Sequence, residues 1–227
     1  RDKVVIATKC GVRHLGDRLE VDCSPQAIRK AVGPSIPLEV VYSVSEPEGG
    51  YTVEDTIEFC KLAEGLIDII HLRSGEMDPQ HPLGFTSTEA MPTPYLEEMG
   101  QVCKAVHALG LHMVVGASAG FQDPAWANAA VAEGKCDLVY MARAWINNPD
   151  YGQKVFEGRA EDIVPCIRCN KCHVSNGKDM WRSVCSVNPE IGFQDKLERM
   201  ISPTTQPRKV AVVGGGYIGV EMTEALL

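Results

Sequence analysis

Cys166-Ile-Arg-Cys169-Asn-Lys-Cys172 is answered after twelve intervening residues by Cys185, so four thiols fall in the spacing C-x2-C-x2-C-x12-C. The short spacings let consecutive sulfurs turn toward one centre and leave the amides between them free to hydrogen-bond thiolate or sulfide charge. That is metal or cluster chemistry. Tetrahedral zinc also takes four cysteines, but usually as two separated pairs. One triplet with one distant partner favours a 4Fe-4S cluster, and zinc stays open as the alternative.

Three further groups of residues suit phosphate or proton chemistry. Gly214-Gly-Gly216-Tyr-Ile-Gly219 follows an apolar, strand-like Lys209–Val213 and opens a helical pattern with Val220, Ala225 and Leu226 on its apolar side. Strand, G-x-G-x-x-G and helix in that order form a dinucleotide fingerprint, in which the helix N-terminus favours pyrophosphate. The acidic residue that meets the ribose falls roughly 20 residues further on, past Leu227, so FAD and NAD(P)H both remain open. Gly116-Ala-Ser-Ala119-Gly120 and Met141-Ala142-Arg143 each end a strand-like run with small residues or a guanidinium suited to a phosphate, although turn glycines and a surface salt bridge are the plainer reading. His71 and His81, at and after the end of the apolar run Ile67–Leu72, are candidates for proton transfer, with ordinary strand and loop positions as the rival reading.

The elements that must position these residues alternate in type. Val4–Lys9, Leu38–Val44, Ile67–Leu72, His112–Gly116 and Leu138–Ala142 read as short strands buried on both faces. Ser24–Val32, Val53–Glu64, Pro94–Leu109, Pro124–Glu133 and Pro149–Glu157 read as helices, with Ser24-Pro25 and Asp123-Pro124 as starts and Gly110 and Gly134 as stops. Repeated βα units imply a parallel sheet, and five units fall short of a closed (β/α)8 barrel. The expected α/β architecture is a partial TIM-type barrel over residues 1–160, a cluster loop over 161–193, an irregular polar linker over 194–207, and the first βα unit of a Rossmann-type domain over 208–227. An open sheet edge would invite self-association into a homo-oligomer.

Composition bounds the partners. A net charge of −8 argues against nucleic acid or an anionic membrane. No apolar run approaches the roughly 18 residues of a membrane span. Nine cysteines scattered through a chain of 227 residues do not resemble a secreted disulfide scaffold, which suggests a reducing, cytoplasmic setting. A start at Arg1 and a stop at Leu227 inside a helical pattern suggest a piece of something longer.

Glu157-Gly-Arg159, Asp162-Ile-Val-Pro-Cys166, Asn170 and Cys185-x-Val187-Asn188-Pro189 resemble the barrel-to-cluster junction of the iron–sulfur flavoproteins related to old yellow enzyme, such as 2,4-dienoyl-CoA reductase, trimethylamine dehydrogenase and bile-acid enoate reductases. The likeness extends through Ala31–Pro34, Gly49–Thr52, Glu133–Val139 and Asn148–Asp150. It implies an NAD(P)H-dependent oxidoreductase with FMN, FAD and a 4Fe-4S cluster held by Cys166, Cys169, Cys172 and Cys185. It places the FMN phosphate at Ala119-Gly120 and Ala142-Arg143, and a dinucleotide at Gly214, Gly216 and Gly219. The implied substrate is a small enone, enoate or enoyl-CoA-like molecule with an activated C=C bond. A non-enzymatic electron-transfer or zinc-stabilised module is the alternative.

Two departures stand beside the matches. Val41 occupies the position where the family usually has an arginine near the flavin ring. The barrel half that carries the substrate-binding and proton-donating residues has no counterpart, so the chain as given is expected not to complete the reaction alone. Separately, Arg1–Gly11 with Asp22–Ala31 resembles an aldo-keto reductase, in which Lys9 would match a catalytic lysine. That lysine's three usual partners are not recognisable, and Lys9 reads as a strand-end residue.

Overall fold

The computed structural model describes residues 12–15, 18–21, 30, 33, 35–46, 50–73, 95–118, 120–174, 184–200, 205–216, 219–220 and 222–223. The expected strand Val4–Lys9, most of the helix Ser24–Val32, Lys9, His81 and Ala119 lie outside them. The chain divides into two compact units, residues 1–191 and 192–227.

In the first unit β1 (Val12–Leu15) pairs antiparallel with β2 (Arg18–Val21). The sequence reading had no strand here, although a two-residue Gly-Asp connection is itself a hairpin signal. The main sheet runs β3 (Glu39–Ser43), β4 (Ile69–Arg73), β5 (Val114–Ser118) and β6 (Leu138–Val139), parallel and in sequence order. Consecutive neighbours linked by helices are what four successive strands of a barrel must be.

Helices α1 (Val53–Ala63), α2 (Leu96–Ala108) and α3 (Pro124–Ala132) connect these strands. Their starts are chemically specified. The Thr52 hydroxyl accepts from the Asp55 amide while the Asp55 side chain accepts from the Thr52 amide, and Asp123 caps the Ala125 amide ahead of Pro124. Gly110 and Gly134, at φ of 70° and 68°, follow α2 and α3 in the left-handed conformation that ends a helix.

Alternation along the strands buries Ile70, Leu72, Val115 and Ala117 against Thr56, Cys60 and Ala63 of α1 and Met99, Val102, Cys103 and Val106 of α2. The opposite face, which would line a barrel, carries a polar group. His71 Nδ1 lies 2.9 Å from Glu39 Oε1, and its ring stacks on Tyr140 at 3.7 Å between centroids. Tyr140 also donates to Glu39, and burial together with that carboxylate raises its pKa to about 12. Its ring crosses Gly116 so closely that an added Cβ would collide with it.

Burial lowers the His71 pKa from 6.5, with Glu39 opposing. A histidine whose folded pKa lies below its unfolded value takes its proton first in the unfolded chain. Stability is therefore lost as pH falls through about 6.5 toward the folded pKa. Between about pH 7 and pH 5 the melting midpoint of the parent should fall further than that of His71→Gln. Equal slopes in the two proteins would contradict this.

Two expectations about the end of the sheet need correction. β6 stops at Val139, and Arg143 does not end a strand but begins a helix, α4 (Arg143–Asn147), ahead of α5 (Tyr151–Phe156) and a 3-10 turn at Ala160–Asp162. The apolar run through Met141 looked like continued strand, but the chain turns there to close over the cysteine loop.

In the second unit, α7 (Gln194–Met200) stands where an irregular linker was expected. Arg199 reaches back to the Asp195 carbonyl at 2.8 Å, a same-face spacing visible in the sequence. Lys209–Val213, expected as a buried strand, has no sheet partner among the described residues, and Val213 is 98% exposed. A strand buried on both faces needs neighbours and covering helices, which the described residues of this unit do not supply.

Candidate metal centre

α4 is the platform for the cysteine loop. Asn148, following it, is 3% exposed, donates to the Val164 carbonyl at 2.6 Å and accepts from the Val164 amide at 3.1 Å. Asn147 also donates to the Val164 carbonyl. This fixes the backbone two residues before Cys166. The other arm is pinned from the same helix, for Asn188 donates to the Ile146 carbonyl at 2.7 Å and the Cys185 thiol points to Asn147 Oδ1 at 3.8 Å. Asn148→Ala takes the partner from the Val164 amide and leaves its carbonyl to Asn147 alone, so it should cost about 1 kcal/mol and expose the Val164–Cys172 segment to protease. Unchanged melting and unchanged cleavage would contradict that anchoring role.

Between the anchors the backbone makes two left-handed turns, at Arg168 (φ 54°) and Asn170 (φ 55°), each inside one C-x2-C step. Non-glycine residues rarely adopt this conformation, and where they do they cluster at functional sites. The turns bring all four cysteines to one cavity, shared with Arg143, Asn170, Ser186 and Val187. Cys172 enters from the short helix α6 (Lys171–Val174).

Donors and charge in the loop suit sulfur anions. The Arg168 amide donates to Cys166 Sγ at 3.4 Å, and Ser186 Oγ lies 3.3 Å from Cys169 Sγ. The Ser186 hydroxyl, then the Lys171 amide, hold the Cys169 thiol below its usual pKa. Burial raises that of Cys172, while Arg143 opposes the rise. Four convergent thiols with amide and hydroxyl donors fit a metal or cluster in which every ligand is a thiolate. Cys60, Cys103 and Cys136, by contrast, are buried, and burial raises their thiols to about 11, 12 and 11.

The other candidates fall in several places. Arg143 donates to Asn170 Oδ1 at 2.6 Å, so its guanidinium joins the start of α4 to the cysteine loop. Gly120 follows the carboxyl end of β5 at Ser118, and Ala142 follows that of β6 at Val139 as the residue that opens α4. Val41 pairs with His71 in the sheet and is 54% exposed on β3, the first of the described parallel strands. In the second unit, Gly214, Gly216 and Gly219 line a groove with Val210–Val213 and Met222. An added Cβ at Gly219 would collide with the Gly214 carbonyl, which is the close approach the third glycine of the fingerprint permits.

Sequence reasoning missed the working roles of Ser186, Asn147, Asn148 and Tyr140. The buried asparagines had a signal in Asn148-Pro149 and Asn188-Pro189. Ser186 had none, because its value lies in a contact seventeen residues away in sequence.

No protein-family model matches the chain. An NADH oxidase of Thermoanaerobacter brockii is 31% identical over 86% of this chain, which spans 29% of that relative. A bilirubin reductase of Mediterraneibacter gnavus is 28% identical over 77% of this chain, spanning 26% of the relative. Among solved structures, a 2-naphthoyl-CoA reductase complex superimposes with a TM-score of 0.75 at 31% identity, covering 87% of this chain and 29% of that one. The chain therefore spans less than a third of the length of these relatives.

Proposed function

The chain is homologous to one section of the old yellow enzyme-like flavin oxidoreductases, and from that premise we propose that it serves NAD(P)H-dependent reduction of an activated C=C bond. The observation that carries this reading is the convergence of four cysteines on one cavity at the carboxyl-end side of a parallel βα sheet. We assign Cys166, Cys169, Cys172 and Cys185 to a 4Fe-4S cluster, and Gly120, Ala142 and Arg143 with Ala119 to the phosphate of FMN. Gly214, Gly216 and Gly219 are assigned to a dinucleotide, FAD by their order behind the cluster loop. When bound, flavin supplies hydride chemistry and the cluster one-electron transfer.

The chain's own residues set the conditions for these groups. The Arg168 amide and the Ser186 hydroxyl direct positive dipoles at two sulfurs, and Arg143 places a full charge beside Cys172. Each would offset the negative charge that an added electron brings to a bound cluster, the direction that eases its reduction. Arg143 does so while standing beside the strand end assigned to phosphate, so one guanidinium serves both cofactor positions. His71, with Nδ1 on Glu39 and its ring under Tyr140, supports the inner face of the sheet, and we assign it no proton-transfer role. We also assign residues 1–160 to the barrel and residues 208–227 to the dinucleotide domain. Small enones, enoates and enoyl-CoA-like molecules are the substrate class proposed.

The test is anaerobic reduction by NADH of a protein carrying this chain with a complete barrel, followed by addition of cinnamate or 2-cyclohexenone. Flavin bleaching reversed by the alkene, with saturated product formed in equal amount, is expected. Bleaching that only dioxygen reverses would contradict alkene reduction.

A further inference from the structure

The end of the sheet opposite the cysteine loop carries a second group of metal-ligating side chains. Cys103 and His107 stand four residues apart on α2 and so share one face, while Asp137 lies in the connection into β6. Ligand atoms of all three lie within 4.8 Å of one another, and His107 Nε2 is 3.1 Å from Asp137 Oδ1.

Asp137 is held rigidly by β5. Its amide donates to the Val115 carbonyl at 2.7 Å, and its Oδ2 accepts from the Val115 amide at 2.8 Å. Cys103 is fully buried, whereas the His107 side chain is 53% exposed. The site is thus closed at the sulfur and open to solvent at the imidazole.

We propose that Cys103 Sγ, His107 Nε2 and Asp137 Oδ1 bind a divalent ion of the zinc class, with water as the fourth ligand. One thiolate, one imidazole and one carboxylate suit zinc or cobalt; magnesium and calcium favour shells made of oxygen. Tetrahedral bonds of about 2.0–2.3 Å separate ligand atoms by roughly 3.3–3.8 Å. Separations of up to 4.8 Å therefore need roughly 1–1.5 Å of closure, part of which the exposed His107 ring can supply. Binding deprotonates Cys103, and its proton leaves to solvent as the sulfur–metal bond forms. Burial, Asp137 and Cys136 raise that thiol to about 12, so the ion must compete with the proton.

The proposal is independent of the flavin reading and is tested on the iron-loaded protein, purified anaerobically and given one equivalent of zinc. Zinc and iron analysis is combined with zinc-edge X-ray absorption on the parent, His107→Ala and His107→Gln. The expected zinc shell holds one sulfur and otherwise nitrogen and oxygen. Zinc affinity should fall at least about tenfold in both variants, with iron content and zinc-free melting unchanged. A shell of four sulfurs, equal affinity in parent and variants, or no zinc bound at millimolar concentration would each overturn the proposal.

Discussion

Cys169→Ser is expected to reduce iron and acid-labile sulfide from about four each per chain to near zero, with loss of the broad visible absorption. Cys169 sits between the two left-handed turns, at the middle of the triplet, and its sulfur faces Ser186 across 3.3 Å. A serine oxygen is a harder, far less acidic ligand, and a cuboidal cluster with one iron corner uncoordinated is lost readily. Cys60→Ser is the matching control. That thiol is buried in the core on α1 and its substitution should lower stability without changing iron content. Iron retained in Cys169→Ser would show that the four convergent cysteines are not one ligand set.

Leu72→Ala should lower stability by about 2–5 kcal/mol, read as a fall in melting midpoint on the order of 10 °C. Leu72 is fully buried on the helix-covered face of β4, among Val44, Val115 and the α1–α2 side chains, where the sheet holds them on both sides and cannot collapse into the cavity. Val41→Ala, on the exposed part of β3, should cost well under 1 kcal/mol by comparison. Equal losses at Leu72 and Val41 would mean that the sheet's two faces are not differentiated as described.

The central sheet and the convergence of the cysteines were legible because both are written in local spacing. Ile67–Leu72 and His112–Gly116 announce buried parallel strands, whose ends shift by one or two residues in the structure, to Ile69–Arg73 and Val114–Ser118. Asp123-Pro124 and Gly134 bracket α3 through capping chemistry that acts within four residues. The triplet Cys166, Cys169 and Cys172 needs no partner segment to be noticed.

What escaped depends on tertiary contact. Arg143 looked like a strand end because Met141-Ala142 continues an apolar run, and only the docking of α4 beneath Val164 and Asn188 explains why the chain turns there. Tyr140 had no motif, yet its ring lies over Gly116 and His71. Lys209–Val213 carried a strand pattern but has no neighbouring strand among the described residues. Local propensity cannot supply such a neighbour.

The most direct measurement is metal, acid-labile sulfide and flavin analysis on a single anaerobically purified sample, with its visible spectrum. About four irons, four sulfides and extractable FMN per chain are expected if the cysteine loop and the strand ends hold the cofactors assigned to them. One zinc without sulfide or flavin would contradict the oxidoreductase assignment and leave a structural four-cysteine site on a parallel βα sheet.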